Sequence, residues 1–214
     1  MMPLLLTFAV KEESGPFQKL AGSRPDLHLL LTGIGQRNAE RTIRQALAGP
    51  LPKLVLTCGF AGGLNPELAT GTVIFSADED SDLSPALLAA GARLAEFHCA
   101  DRVAVTAEEK RALRRSTGAD AVEMESGVIR AICRERKIRS STVRVISDAA
   151  NEDLPLDFTR LMDAGQNLRY GKLALALAKS PRKIGALFKL QRQTRAAAEK
   201  LAQVLVNILA RFPP

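Results

Sequence analysis

The sequence predicts an α/β fold in which helices cover both faces of a central β-sheet and amphipathic helices close the chain. Three observations carry that expectation. Short β-rich apolar runs alternate with longer segments of helical period, the signature of a sheet layered with helices. Glycines cluster after the second and third runs, where the ligands of open α/β sheets gather. The 214 residues are 46% hydrophobic and show no seam, repeat or low-complexity linker, so one domain with one substantial core is predicted over 1–214.

The first strand is placed at 3–10. No charge precedes that apolar run apart from the terminus, and no small-residue cleavage site follows before Lys11, Glu12 and Glu13, so it does not read as a signal peptide. Further strands are predicted at 26–31, 54–58, 72–76, 102–105, 119–123 and 142–146. Good helix formers with spaced apolar positions predict helices at 36–47, 107–115 and 125–136. No apolar stretch approaches the ~20 residues that a membrane span requires. Near the end, Leu173, Leu175 and Leu177 precede a break at Ser180-Pro181, and Ile184, Leu187, Leu190, Leu201, Leu205 and Ile208 follow it, which suggests two amphipathic helices.

Aromatic residues make up only 4% of the chain and Trp is absent, so the core must be aliphatic and few rings can stack on a flat ligand. Three cysteines and two histidines without metal spacing predict a reduced, cytoplasmic protein that needs neither metal nor bound cofactor. The formal charge of +7 belongs to the tail alone: residues 165–214 hold ten basic residues against Glu199, leaving a small negative charge on the rest. Packing of the tail's apolar face on the sheet is the simplest expectation. Its Lys/Arg excess would also suit peripheral contact with the anionic inner face of a membrane. Nucleic-acid binding would use the same charge, but the chain lacks the interleaved aromatics and modules of a reader.

Four motifs bear on chemistry. Thr32-Gly33-Ile34-Gly35-Gln36-Arg37-Asn38 partly matches a dinucleotide fingerprint, but Asn38 stands where a glycine belongs. It remains either a structural turn or a helix N-terminus able to hold an anion through Gly33, Gly35 and Arg37. Thr57-Cys58-Gly59-Phe60-Ala61-Gly62-Gly63-Leu64 places three glycines after a buried strand, more than a turn requires. Val122-Glu123-Met124-Glu125-Ser126 brings acids to a strand-to-helix junction, where a carboxylate can cap the helix or accept two hydrogen bonds from a sugar diol. Arg144-Val145-Ile146-Ser147-Asp148 ends an apolar strand on an acid that could be an N-cap, a counter-ion for Arg144 or a partly buried proton donor.

In this order, these motifs resemble the nucleoside phosphorylase family, especially its methylthioadenosine/adenosylhomocysteine nucleosidase branch, whose patterns are G-[ST]-A-G-G-L, V-[ED]-M-E and R-x-[IV]-S-D. The resemblance runs from the first strand to about Leu156, and 151–158 looks most like the hopanoid-associated phosphorylases, which act on adenosine joined to a large apolar group. It implies a mixed sheet, a homo-oligomer and cleavage of the bond between ribose and an adenine-type base. By the same resemblance, Asp148 protonates the base at N7, oriented by Ser147. Glu125 binds the ribose hydroxyls, Met124 packs on the sugar, Val122 and Glu123 meet the base, Arg144 braces the site, and Glu13 activates water in hydrolytic members. Gly59 and Phe60 line the ligand.

Three departures qualify this. Phe60 stands where the family has Ser or Thr, Thr57 where phosphorolytic members place Arg, and Asn151 where many relatives have Asp. Phosphate as co-substrate is thereby disfavoured by Thr57 and Phe60 and favoured by the hopanoid-like segment, so water and phosphate both stay open. No aromatic between Arg102 and Arg115 offers to stack the base, leaving Phe60, Phe97 or Phe158. A non-catalytic nucleoside-binding descendant, or a basic protein that binds membrane or nucleic acid, is the alternative.

Overall fold

The computed structural model describes residues 4–22, 24–77, 83–157 and 183–211. Among these residues, eight strands and six helices occur in the order β1 (Leu4–Phe8), α1 (Lys11–Ala21), β2 (Leu27–Leu31), α2 (Gln36–Ala46), β3 (Leu54–Gly63), β4 (Val73–Ala77), α3 (Leu83–Ala89), β5 (Arg93–Leu94), β6 (Phe97–Cys99), α4 (Ala107–Thr117), β7 (Ala121–Glu123), α5 (Ser126–Glu135), β8 (Arg139–Asp148) and α6 (Lys183–Leu209). The sheet is mixed, with the order β2-β1-β3-β8-β4-β5. Strands β1, β2, β3 and β8 run parallel, while β4 is antiparallel to β8. The short β7 pairs antiparallel with the end of β3, Val122 facing Gly62, and β6 adds to it.

Alternation along β1 explains the two layers. Leu4, Leu6 and Phe8 point to one face, where Phe17 of α1, Leu87 of α3 and Leu201 and Leu205 of α6 meet them. Leu5 points to the other and packs with Val55, with Ala39 and Ile43 of α2, and with Ile129 and Ile132 of α5. A strand reverses its side chains at every residue, so helices are required on both faces. Each of these large apolar side chains contributes about 1.5–3 kcal/mol on burial.

Helix α6, within the basic tail, packs on the sheet through one face: Ala197, Ala198, Leu201, Leu205 and Ile208 are buried, whereas Lys189, Arg192, Arg195 and Lys200 are exposed. The break at Ser180-Pro181, the apolar residues before it and Phe158 lie outside the described residues. No helix among the described residues is long and apolar enough to cross a membrane.

Three local expectations are corrected. The strand expected at 102–105 is absent, and strands form instead at Arg93–Leu94 and Phe97–Cys99. The reason is the start of α4. Thr106 Oγ1 accepts the Glu109 N–H at 3.1 Å, and Glu109 Oε2 accepts the Val105 N–H at 2.7 Å. This capping box, together with Leu154 N–H donating to Val105 O at 2.8 Å, spends the backbone that a ladder would need. Helix α1 was not anticipated, because Gly15-Pro16 reads as a breaker. Burial of Phe17 against Phe8, ring centroids 6.1 Å apart, stabilises it nonetheless. Finally, Gly59, Gly62 and Gly63 do not follow β3 but belong to it, with an irregularity in register at Ala61/Gly62.

Candidate active site

The ends of β1, β3, β7 and β8 converge on one buried cation. Arg144, on β8 and 1% exposed, donates from Nη2 to Glu123 Oε2 at 2.6 Å, to Thr57 Oγ1 at 3.2 Å and to Glu125 Oε2 at 3.4 Å. Its Nη1 donates to the Cys58 carbonyl at 3.2 Å. Arg144 therefore braces two acids of the β7–α5 junction from beneath. Glu123 also accepts the N–H groups of Glu125 and Ser126 and the Ser126 hydroxyl, so it caps α5 as well as pairing with Arg144. Burial would raise the Glu123 carboxyl, but Arg144 and these donors outweigh it and hold it below the ordinary value.

Glu125 faces a different balance. Its Oε1 accepts the Gly35 N–H at 2.7 Å, and its more distant contact with Arg144 is shared with Glu123. Burial dominates and pushes it up to about 7, against the opposing pull of Arg144. Glu13 is the third acid. In the first turn of α1 it turns back to accept Ala9 N–H at 2.8 Å and Val10 N–H at 3.2 Å, while its other oxygen accepts Phe60 N–H at 2.8 Å from β3. Burial raises it too, with Arg144 and the three amides acting in the opposite direction. Glu12, its neighbour, is exposed.

This crowding explains Gly59. Its φ is +144°, and a Cβ there would lie 2.5 Å from Glu13 Oε1 and 2.6 Å from Arg144 Nη1. No side chain fits between an acid and its cation at that range.

At the end of β8, Asp148 Oδ1 accepts the Ser147 hydroxyl at 2.5 Å. Its Oδ2 lies 2.5 Å from Lys110 Nζ of α4. Arg144 has no contact with Asp148, so the sequence reading of Asp148 as its counter-ion is corrected: β8 carries one extra residue opposite Ala61/Gly62, which breaks the alternation between the two side chains, and the paired cation is Lys110. Nothing had singled out Lys110, although it stands in the apolar stripe of α4, three residues before Leu113, and a lysine in such a stripe is itself a signal.

A cavity of about 300 Å³ opens between these strand ends, within the size range of small-ligand sites. Glu13, Phe60, Val122, Glu123, Met124, Glu125, Ser147 and Asp148 all line it, so most of the residues selected from the motifs share one space. Arg102, Val103, Ala104, Leu154, Leu190 and Thr194 also line it and were not anticipated. They come from irregular segments and from α6, remote in sequence from any motif. Of the proposed stacking rings, Phe60 lines the cavity and Phe97 packs instead against Ala61 and Ile146.

Three of the four residues considered for an anion are engaged within the protein. Gly33 N–H donates to the Ala9 carbonyl at 3.1 Å and Gly35 N–H to Glu125. Thr57 is fully buried beneath Arg144, and Arg37 is exposed on α2. The fingerprint-like turn thus holds a carboxylate of the protein itself.

Comparison with known proteins agrees with this architecture. Residues 80–178 match the family model described as the phosphorylase superfamily. The chain is 26% identical over 170 residues to the 5′-methylthioadenosine/S-adenosylhomocysteine nucleosidase of Glaesserella parasuis serovar 5 (strain SH0165), covering 64% of this chain and 74% of that protein. Among solved structures, the Campylobacter jejuni nucleosidase of the same name superposes with a TM-score of 0.70 at 17% identity, covering 99% of this chain and 100% of that one. Futalosine hydrolase of Helicobacter pylori does so with a TM-score of 0.67 at 17% identity, covering 98% of each. The mixed sheet is therefore the fold of these nucleosidases, and residues 80–178 of the chain match the phosphorylase superfamily model.

Proposed function

We propose that this protein hydrolyses the N-glycosidic bond of an adenine-type ribonucleoside. The observation that carries the reading is the placement of Glu13: three backbone N–H groups that could cradle an anion are turned onto its carboxylate, in the cavity that also holds Asp148 and Glu125. Phosphate entering there would meet a negative charge whose donors are already taken, whereas water would meet a base. In the reaction, the bond from C1′ to N9 breaks with its electron pair going to the base. Asp148, which takes up a proton as the nucleoside binds, gives it to N7, water oxygen bonds to C1′, and Glu13 takes the water's proton; release of that proton and reprotonation of Asp148 complete the cycle. Glu125 accepts hydrogen bonds from the ribose hydroxyls, and its charge favours the cationic sugar.

Relatives named as methylthioadenosine/adenosylhomocysteine nucleosidases support a substrate modified at the 5′ position. So does a second groove of about 630 Å³, walled by α1 and α6, which meets the cavity at Phe60 and Thr194. A large 5′ group, including an apolar one, would extend along it. Incubation with methylthioadenosine, adenosine and an adenosine bearing a long 5′ chain, with and without phosphate, tests the reading. Free adenine and unphosphorylated sugar at a phosphate-independent rate are expected. A sugar 1-phosphate formed only with phosphate present would exclude hydrolysis.

The raised Glu125 carboxyl gives a pH signature. Below about 7 it carries a proton in the free protein, can no longer accept from both ribose hydroxyls and loses the charge that favours the cationic sugar. Accordingly kcat/KM should fall about tenfold per unit as pH drops below that value and level off above it. A profile flat from pH 5.5 to 8 would show that the ionised form is not required.

A further inference from the structure

Lys110 is wholly buried, and a buried ammonium persists only where its three protons find acceptors. Here each has one. Nζ lies 2.8 Å from the Ala149 carbonyl, 2.8 Å from the Glu152 carbonyl and 2.5 Å from Asp148 Oδ2. The first two acceptors are neutral, so among the described residues the charge that Lys110 answers is that of Asp148. Ser147 holds the other carboxyl oxygen. Both oxygens are therefore gripped from the protein side, while the group still borders the cavity.

We propose that Lys110 is the positioning residue for base protonation, an assignment that rests on the hydrolytic reading above. It fixes the plane of the Asp148 carboxyl and compensates the charge that appears there during the reaction. As the O–H bond of Asp148 breaks and the N7–H bond forms, the C1′–N9 electron pair leaves with the base and a carboxylate remains in the wall of the site. Against Lys110 that carboxylate is paired; without it, the same transfer strands a buried anion. The interaction is thus strongest when proton transfer is advanced, which is the condition for accelerating the step instead of merely tightening binding.

A purely architectural role would be different. Lys110 also ties α4 to residues 149–152, and loss of that tie would disturb every substrate alike. The leaving group separates the two roles, because a nitrophenolate departs without a proton. Wild-type protein, Lys110→Met, Asp148→Asn and the double variant would each be assayed on methylthioadenosine and on p-nitrophenyl 5-methylthioriboside. Lys110→Gln, which retains N–H donors for the carbonyls but no charge, runs in parallel in case the Met variant does not fold.

Loss of Lys110 should lower kcat on methylthioadenosine by about 10²-fold and on the nitrophenyl riboside by less than about tenfold. The double variant should be no slower than Asp148→Asn alone, since residues that act through one another are not additive. Equal losses on both substrates, or fully additive losses in the double variant, would overturn the role of Lys110 alone. A wild-type protein inert towards both substrates would overturn the hydrolytic reading and this assignment with it.

Discussion

Replacing Asp148 by Asn is expected to lower kcat for an adenine nucleoside by about 10²- to 10⁴-fold, the usual contribution of a positioned acid. The amide matches the carboxyl in shape. Its oxygen can turn towards Lys110 and its NH2 towards Ser147 Oγ, so both neighbours, each 2.5 Å away in the native protein, keep a partner. The proton for N7 is what the amide cannot supply. Lys110 is left without a counter-charge, so some stability is lost as well, and the kinetic comparison must be made on protein shown to be folded by circular dichroism. Single-turnover rates well below the native ones, with binding of free adenine retained, are the expected pair of results. A variant that turns over normally would remove Asp148 from the chemistry.

The second large effect concerns stability. Arg144→Met removes the sole cation that, among the described residues, reaches Glu123 and Glu125, in a site where Arg144 and Glu123 are almost wholly inaccessible. Breaking a buried ion pair by deleting one partner costs about 3–5 kcal/mol, because the remaining charge is left unpaired. The sign of the pH dependence follows from Glu123. Its carboxyl is held below the ordinary value largely by Arg144 working against burial. Without the arginine, burial prevails and the folded protein binds a proton more tightly than the unfolded chain does. The variant's deficit should therefore be greatest at pH 7.5 and shrink as pH falls towards 5.5. Urea unfolding at both values measures it. A deficit independent of pH would assign Arg144 to packing, with no share in holding these acids ionised.

These effects trace to residues that differ in how far a sequence reading can reach them. Glu123, Glu125 and Asp148 were accessible because acids at strand ends, in an apolar chain and in a particular order, have few innocent explanations. Lys110 was not, because its importance depends on three acceptors, two of them main-chain carbonyls beyond β8. The walls contributed by Leu190 and Thr194 were equally out of reach, since α6 brings them to the site from more than forty residues beyond Asp148. Helix α1 was hidden by its own Gly15-Pro16, and only the pocket that accepts Phe17 makes it form.

What the chain's own order of residues determined is the layered α/β class, most of its strands and the acids that meet at their ends, because periodicity and punctuation are local and the chemistry is written in residue type. Only the tertiary structure decided which charges answer one another. It gave Arg144 to Glu123 and Glu125, Lys110 to Asp148, and the Gly35 amide to Glu125. Such partnerships depend on strand register and helix docking, which set the distance and burial of each charge and hence its energy.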